Sequence, residues 1–338
     1  MKRILLLASL FAAAAAFGQG PSGFHLSKTY HIASNGGWDY ISVEPASQHV
    51  FVSHGTQVNV LNKMTGDSVG YIPNTPGVHG IAFDKALNMG YTSNGRGNNV
   101  SAFDLKTFEL KAQIATGENP DAIMFEPFSK TIITCNGRSK DLSVIDPVAG
   151  KVIATIPVGG KPETAVSDGA GNVFVNIEDK NEIVVVDIRN YSVTGHWSLA
   201  PGDGPTGLEI DTKTHRLFAG CDKNLMVMDA TNGKIVAQLP IGDGCDGVGF
   251  DASLGYVFTS NGEGTVTVIK EVSANLFKVE ETVPTKKGAR TIAVDPATHM
   301  LFLPASDTEP VPAGSPARTR PRMIPGSFQI LVVDRSKP

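Results

Sequence analysis

The chain has 338 residues, which is enough for two ordinary domains or for one large all-β domain. Hydrophobic residues make up 41% and charged residues 18%, with 36 Gly and 21 Pro, so we expect a folded chain that is rich in turns. The formal net charge of −4 argues against an extended electrostatic surface for nucleic acid and leaves room only for a local basic patch.

The first 18 residues have the pattern of a signal peptide. Lys2 and Arg3 precede an apolar run over residues 4–17, and residues 16–18 form a small-x-small cleavage site. A membrane anchor is the alternative, but a span needs about 20 apolar residues. No Cys follows the run, which argues against a lipid anchor. We expect cleavage near Gly18, no membrane span in the mature chain, and a periplasmic or secreted protein.

One strand pattern recurs seven times at steps of 40 to 44 residues. Each copy continues with a turn, a second strand, a third strand that often ends on Asp or Asn, and a fourth strand. Four strands per period of about 42 residues are typical of a propeller blade. The sequence therefore predicts an all-β fold, a single seven-bladed β-propeller over residues 24–336. Its blades start near residues 38, 78, 120, 162, 205, 245 and 289.

The seventh repeat ends at Asp334 without a fourth strand of its own. The missing strand has a counterpart at the other end of the chain, because residues 27–37 (SKTYHIASNGG) match residues 151–160 (KVIATIPVGG). We therefore expect the N-terminal strand to complete the last blade and close the ring, which removes an exposed sheet edge.

A tetrapeptide marks the second strand of several repeats. It reads YTSN at residues 91–94 and FTSN at 258–261, with weaker versions at 133–136 (ITCN) and 174–177 (FVNI). On these residues the chain resembles the bacterial exported seven-bladed propellers built from YVTN repeats, the YncE-like proteins. The resemblance covers residues 27–336 and implies the fold and an exported location. The motif describes strand packing rather than chemistry.

Several sequence matches to known motifs lack the surrounding structure that those motifs require. Residues 242–247 fit G-x-G-x-x-G, but a strand follows where NAD binding needs a helix, and the G-x-S-x-G at 66–70 lies in a strand-to-strand turn. There is no C-x-x-C-H for haem c. Trp38 and Trp197 are too few for the Trp-rich repeat of PQQ propellers. We therefore expect no NAD, haem c or PQQ.

The residues that begin the seven repeats should surround the mouth of the central channel, on the face that we call the top. We name them the mouth ring: Asp39, His79, Asp121, Glu163, Thr206, Asp246 and Arg290. The second-to-third loops lie on the same face and bring Arg138 near the ring. The predicted ligand-binding residues are Asp39, His79, Asp121, Arg138, Glu163, Asp246 and Arg290. Such a set suits a small polar or cationic ligand, or a divalent metal on Asp121, Glu163 and Asp246.

Structural explanations of the same residues stay open. Carboxylates at strand starts can simply bond neighbouring amides, and Arg290 can either neutralise Asp39 or Asp246 or bind a substrate carboxylate. Cys221 and Cys245 are predicted on the top face of adjacent blades. They can form a disulfide, bind a soft metal, or remain two free thiols.

A long Pro-rich loop at residues 306–327 interrupts the seventh repeat and carries Arg318, Arg320 and Arg322. We expect it to overhang the acidic top face as a lid or partner-binding tongue; tolerated disorder is the alternative.

Two functions fit these features. The first is a non-enzymatic, monomeric, exported binding or scaffold protein that holds a small molecule, a metal or an exported protein on its top face. The second is a lactonase-type hydrolase, by analogy with similar propellers, in which His79 would be the base, Glu163 its orienter or a metal ligand, and Arg290 the oxyanion partner. We favour the first.

Overall fold

The computed structural model describes residues 22–34, 36–44, 46–312, 314 and 321–335. The signal peptide expected over residues 1–18 lies outside them. The described residues form 28 strands and one 3₁₀ helix, Glu178–Lys180. Among them is no helix of the length and apolarity that crossing a bilayer requires.

The strands are numbered in chain order. The first half of the chain contains β1 (Phe24–His31), β2 (Trp38–Val43), β3 (His49–His54), β4 (Gln57–Asn62), β5 (Ser68–Ile72), β6 (Val78–Asp84), β7 (Met89–Asn94), β8 (Asn99–Asp104), β9 (Leu110–Ala115), β10 (Pro120–Glu126), β11 (Thr131–Asn136), β12 (Asp141–Asp146), β13 (Lys151–Pro157) and β14 (Pro162–Ser167). The second half contains β15 (Asn172–Ile177), β16 (Glu182–Asp187), β17 (Ser192–Ser198), β18 (Leu208–Asp211), β19 (Arg216–Cys221), β20 (Asn224–Asp229), β21 (Ile235–Pro240), β22 (Cys245–Asp251), β23 (Tyr256–Asn261), β24 (Thr265–Ser273), β25 (Leu276–Pro284), β26 (Ala293–Val294), β27 (Leu301–Ala305) and β28 (Gln329–Arg335).

These strands form seven four-stranded antiparallel sheets, which confirms the predicted seven-bladed propeller. Blades 1 to 6 take consecutive strands from β2 to β25, and blade 7 has the order β26-β27-β28-β1. The N-terminal strand β1 therefore completes the last blade, as predicted. It pairs with β28 from Phe24 opposite Arg335 to His31 opposite Gln329, with a bulge between Leu26 and Lys28.

The cores of the propeller lie between adjacent blades. The second and third strands of each blade are almost entirely buried, whereas the outer fourth strands alternate between exposed and partly buried residues. One cluster, for example, packs Val144 of blade 3 against Val175 and Val184 of blade 4. The first strand of each blade is the innermost, so its side chains line the central channel.

The tetrapeptide has a structural role that explains its recurrence. In blade 2 the fully buried Asn94 accepts a hydrogen bond from Thr92 Oγ1 at 2.9 Å and donates to Asn99 and Ser101 on the next strand. Asn136 and Asn261 make the same set of bonds in blades 3 and 6. A buried amide must be hydrogen-bonded, and this network satisfies it within one blade.

Candidate functional site: the channel mouth

The mouth ring is assembled at the inner ends of the blades, as its repeat position predicts. Asp39, His79, Asp121, Glu163 and Asp246 are each the second residue of the innermost strand of their blade. In a propeller these strands converge on one axis. Together with Arg290 of blade 7, six separate segments of the sequence contribute charged side chains to one small region.

Asp39 connects two of the ring's cationic groups. Its Oδ2 lies 2.5 Å from His79 Nδ1, and its Oδ1 lies 3.2 Å from Nη1 of Arg290. The same Arg290 nitrogen donates to Asp246. The Asp39 main-chain carbonyl accepts a 2.6 Å hydrogen bond from Thr291 Oγ1. Blades 6, 7, 1 and 2 are therefore joined at the mouth by one continuous chain of charge-assisted contacts.

His79 also faces Asp121, whose Oδ1 lies 3.6 Å from Nδ1. Burial alone would lower the pKa of His79, but the hydrogen bond that His79 donates to Asp39 and the charges of Asp121 and Asp39 outweigh it and raise that pKa. Burial raises the pKa of Asp121 to about 6, against the opposing charge of His79. One donor atom from each of Asp39, His79 and Asp121 lies within 4.8 Å of the other two.

Glu163 belongs to a second ionic group, centred on a residue that the sequence analysis missed. Lys161 Nζ lies 2.5 Å from Oε1 of Glu163 and also contacts Glu178. Burial, followed by the charge of Asp121, raises the pKa of Glu163 even though Lys161 opposes the shift. Lys161 lies two residues before the ring position, where the other six repeats have Gly or Asn, so its charge is a signal that a comparison of the repeats could have found.

The residues predicted to form one metal site or one catalytic site thus belong to different ionic groups in the structure. Asp121 joins Asp39 and His79, whereas Glu163 lies with Lys161 and Asp246 lies with Arg290. For the hydrolase alternative, the carboxylate next to His79 is Asp39 rather than Glu163. Of the two roles left open for Arg290, its contacts with Asp39 and Asp246 match neutralisation of the ring.

Arg138 lies outside this network. It is exposed in the turn between β11 and β12, and its backbone amide donates to Glu118 O at 3.1 Å. Among the residues that the structure describes, its side chain makes no ion pair.

All three cysteines fall within the described residues, and all three are buried and free. The candidate disulfide between Cys221 and Cys245 is therefore not formed in this structure. Burial raises the pKa of Cys221 to about 12 and that of Cys245 further, so both remain protonated thiols.

The loop at 306–327 connects β27 to β28. Its base is held by an isolated bridge between Thr308 and Met323 and by a 2.5 Å ion pair from Lys286 to Asp307. Arg322 is exposed, while Arg318 and Arg320 lie outside the described residues. The role of the loop as a lid or tongue stays a prediction.

Below the ring, the channel holds a cavity of about 210 Å³ lined by the innermost segments of all seven blades. Two of its side chains were missed by the sequence analysis. Tyr40 of blade 1 packs against the core cluster of blades 3 and 4 and therefore reaches across the channel. Glu209 of blade 5 lines the cavity as well, and burial raises its pKa to about 7.

Fold and site together define a seven-bladed β-propeller with an ionic channel mouth. No protein-family model matches the chain, and no curated protein matches it either. Among solved structures it is similar to a chain of the Kuenenia stuttgartiensis hydrazine synthase, with a TM-score of 0.69 and 14% identity over 87% of this chain and 95% of the other. Matches extend to 1702 solved chains, so the likeness specifies the architecture and not an activity.

Proposed function

We propose that this protein is an exported binding propeller that holds a divalent metal cation at its channel mouth. The observation that carries the proposal is the convergence of Asp39, His79 and Asp121, whose donor atoms lie within 4.8 Å of one another. Two carboxylate oxygens and one imidazole nitrogen are a donor set that first-row divalent metals accept.

The geometry around His79 Nδ1 supports this donor set. Nδ1 faces both carboxylates, so the proton that it carries occupies the position in which a cation would be bound by all three groups. Arg290 holds the other oxygen of Asp39, and such outer contacts orient a metal-binding carboxylate. Since the metal must displace that proton, its affinity should rise with pH through the raised pKa of His79.

The test is metal analysis of the mature protein, purified without chelator, by inductively coupled plasma mass spectrometry. One equivalent of a divalent metal is expected in the wild type and in Glu263→Gln, a matched top-face control. It should be lost in His79→Gln and in Asp121→Asn. Retention in Glu163→Gln would distinguish this donor set from one that uses Glu163. No metal in the wild type, after incubation with Mn²⁺, Zn²⁺ and Ca²⁺ in turn, would overturn the proposal.

A lactonase-type hydrolase is the second candidate, favoured by the Asp39–His79 pair beside Arg290. A carboxylate-oriented imidazole is a general base, and a neighbouring guanidinium is suited to a developing oxyanion. Hydrolysis of δ-valerolactone in a pH-stat, abolished by His79→Gln and by Arg290→Gln, would support it. No turnover by the metal-loaded wild type would exclude this substrate.

Location, relatives and assembly state are part of the same proposal. The pattern of residues 1–18 supports export, and the YTSN and FTSN tetrapeptides support a place among the YncE-like propellers. We propose a monomer, because the described strands close the ring and complete blade 7 with β1, without a strand from a second chain. Its elution volume in size-exclusion chromatography tests that.

A further inference from the structure

Glu209 is a charged residue in the channel at a repeat position that is uncharged in the other six blades. Glu209 lies three residues after the mouth ring. The other six blades place small or uncharged residues there: Ser42, Ala82, Met124, Val166, Gly249 and Ala293. The half-buried carboxylate of Glu209 loses part of its hydration at a position where the other blades have no charge.

The environment of Glu209 differs from that of the other acidic residue that lines the cavity. Asp246 is paired with Arg290, whereas Glu209 forms no ion pair with any described residue. Its burial without a cation accounts for the raised pKa of about 7. The cavity thus contains a carboxylate that still lacks a counter-ion.

Among the described residues, Glu209 and Asp246 alone bring charge to the cavity wall. Ile81, Ile123, Val248 and Ile292 contribute hydrocarbon surface, and Tyr40 adds an aromatic ring. A cavity of about 150 Å³ with apolar walls holds a molecule of the size of benzene, so about 210 Å³ is room for a small organic ligand.

We propose that the central channel is a binding site for a small organic ammonium ion, with Glu209 as its counter-ion and the isoleucine and valine walls covering its hydrocarbon part. A bare divalent cation fits less well, because six to eight oxygens surround Ca²⁺ and this level supplies one carboxylate. Tyr40 can stabilise the cation through its ring face. This site is separate from the metal site of the proposed function and does not depend on it.

The test is isothermal titration calorimetry at pH 8.5 with n-butylammonium chloride as the probe. Saturable 1:1 binding is expected for the wild type and for Glu118→Gln, which removes an exposed carboxylate from the rim. Glu209→Gln should weaken binding at least tenfold, and the neutral isostere n-butanol should bind at least tenfold more weakly than the ammonium. Ser42→Leu, which fills the same level and keeps Glu209, should abolish binding if it folds as judged by circular dichroism.

Three results would overturn the proposal. Unchanged affinity in Glu209→Gln would remove the counter-ion role, and equal binding of n-butanol would make the cavity a purely apolar site. Loss of binding in Asp121→Asn, with Glu209→Gln unaffected, would place the ammonium at the mouth instead. Because Asp121→Asn also removes the proposed metal site, this variant separates failure of one proposal from failure of the other.

Discussion

Lys63 Nζ lies 2.9 Å from Oδ2 of Asp295, and the two side chains are only 2% and 0% exposed. Lys63 follows β4 of blade 1, and Asp295 follows β26 of blade 7, so this buried ion pair joins the two blades at which the ring closes. Asp295 also accepts bonds from the Ala297 amide and the Thr298 hydroxyl. Its lone pairs are thus satisfied from its own turn and from the neighbouring blade.

We predict that Lys63→Met destabilises the protein by about 3 kcal/mol, because it leaves the Asp295 carboxylate buried without its cation. Urea unfolding measures the change. The double variant Lys63→Met/Asp295→Leu should recover most of the loss, since an apolar pair leaves no buried charge. Lys111→Met, which breaks an exposed pair with Glu109, is the matched control and should be neutral. Equal effects of both lysine substitutions would contradict the prediction.

The titration of His79 is expected to depend on Asp39. The raised pKa of His79 means that the folded state holds its proton more tightly than the unfolded chain, whose value is about 6.5. The resulting stabilisation is complete below pH 6.5 and is lost as pH rises through the folded pKa. Asp39→Asn removes the hydrogen bond that counteracts the effect of burial on the pKa of His79, so the midpoint of the His79 titration should fall.

Proton NMR of the imidazole C–H resonances in metal-free protein measures this midpoint. Asp222→Asn, which removes an exposed top-face carboxylate outside the ring, should leave it in place. A midpoint unchanged by Asp39→Asn would show that the Asp39–His79 contact does not carry the shift.

The blades and the closing strand could be predicted because both follow from the chain itself. A period of about 42 residues predicts a four-stranded blade. The missing fourth strand of blade 7 predicts that β1 takes its place. The mouth ring could be located for the same reason, since a repeat position becomes a spatial position in a propeller. The ion pairs within the mouth ring could not be predicted. The choice of carboxylate for each cation depends on side-chain conformations around a crowded axis.

Glu209 and Tyr40 show where the repeat still held information that was not used. The positions one and three residues after the ring position were not compared between repeats. Each of those positions has one residue unlike its six counterparts, and both of these residues line the cavity. Lys63 and Asp295 gave no such signal, because a lysine in a turn after a strand is normally exposed.

Glu209 should make stability fall with rising pH. Its pKa is raised by burial from about 4.5 in the unfolded chain to about 7, so between these values the folded state retains a proton that the unfolded chain loses. We predict that Glu209→Gln stabilises the protein at pH 8 by about 1–3 kcal/mol and has little effect at pH 4.5. Urea unfolding at both pH values checks this. Glu118→Gln should show no such pH dependence, and a Glu209→Gln effect of equal size at both pH values would refute the assignment.

The closing strand can be tested through a pair of equivalent glycines. Gly66 and Gly150 end the third-to-fourth-strand turns of blades 1 and 3 with positive φ values of 78° and 62°. Their amides bond Asn62 O and Asp146 O in the same way. Alanine at either position is strained by about 1 kcal/mol or more. A Cβ on Gly66 would also overlap the ring of Tyr30, whereas a Cβ on Gly150 meets no atom within 4 Å.

Gly66→Ala should therefore cost about 1–3 kcal/mol more than Gly150→Ala, because only the first must also displace a side chain of β1. Tyr30 is 6% exposed, and its hydroxyl donates to Lys63 O at 3.1 Å, so it ties the closing strand to blade 1. In a Tyr30→Ala background the overlap disappears, and the two glycine substitutions should then cost the same in urea unfolding. If the difference between them persists without the Tyr30 ring, it arises in the turn itself and not from packing of the closing strand.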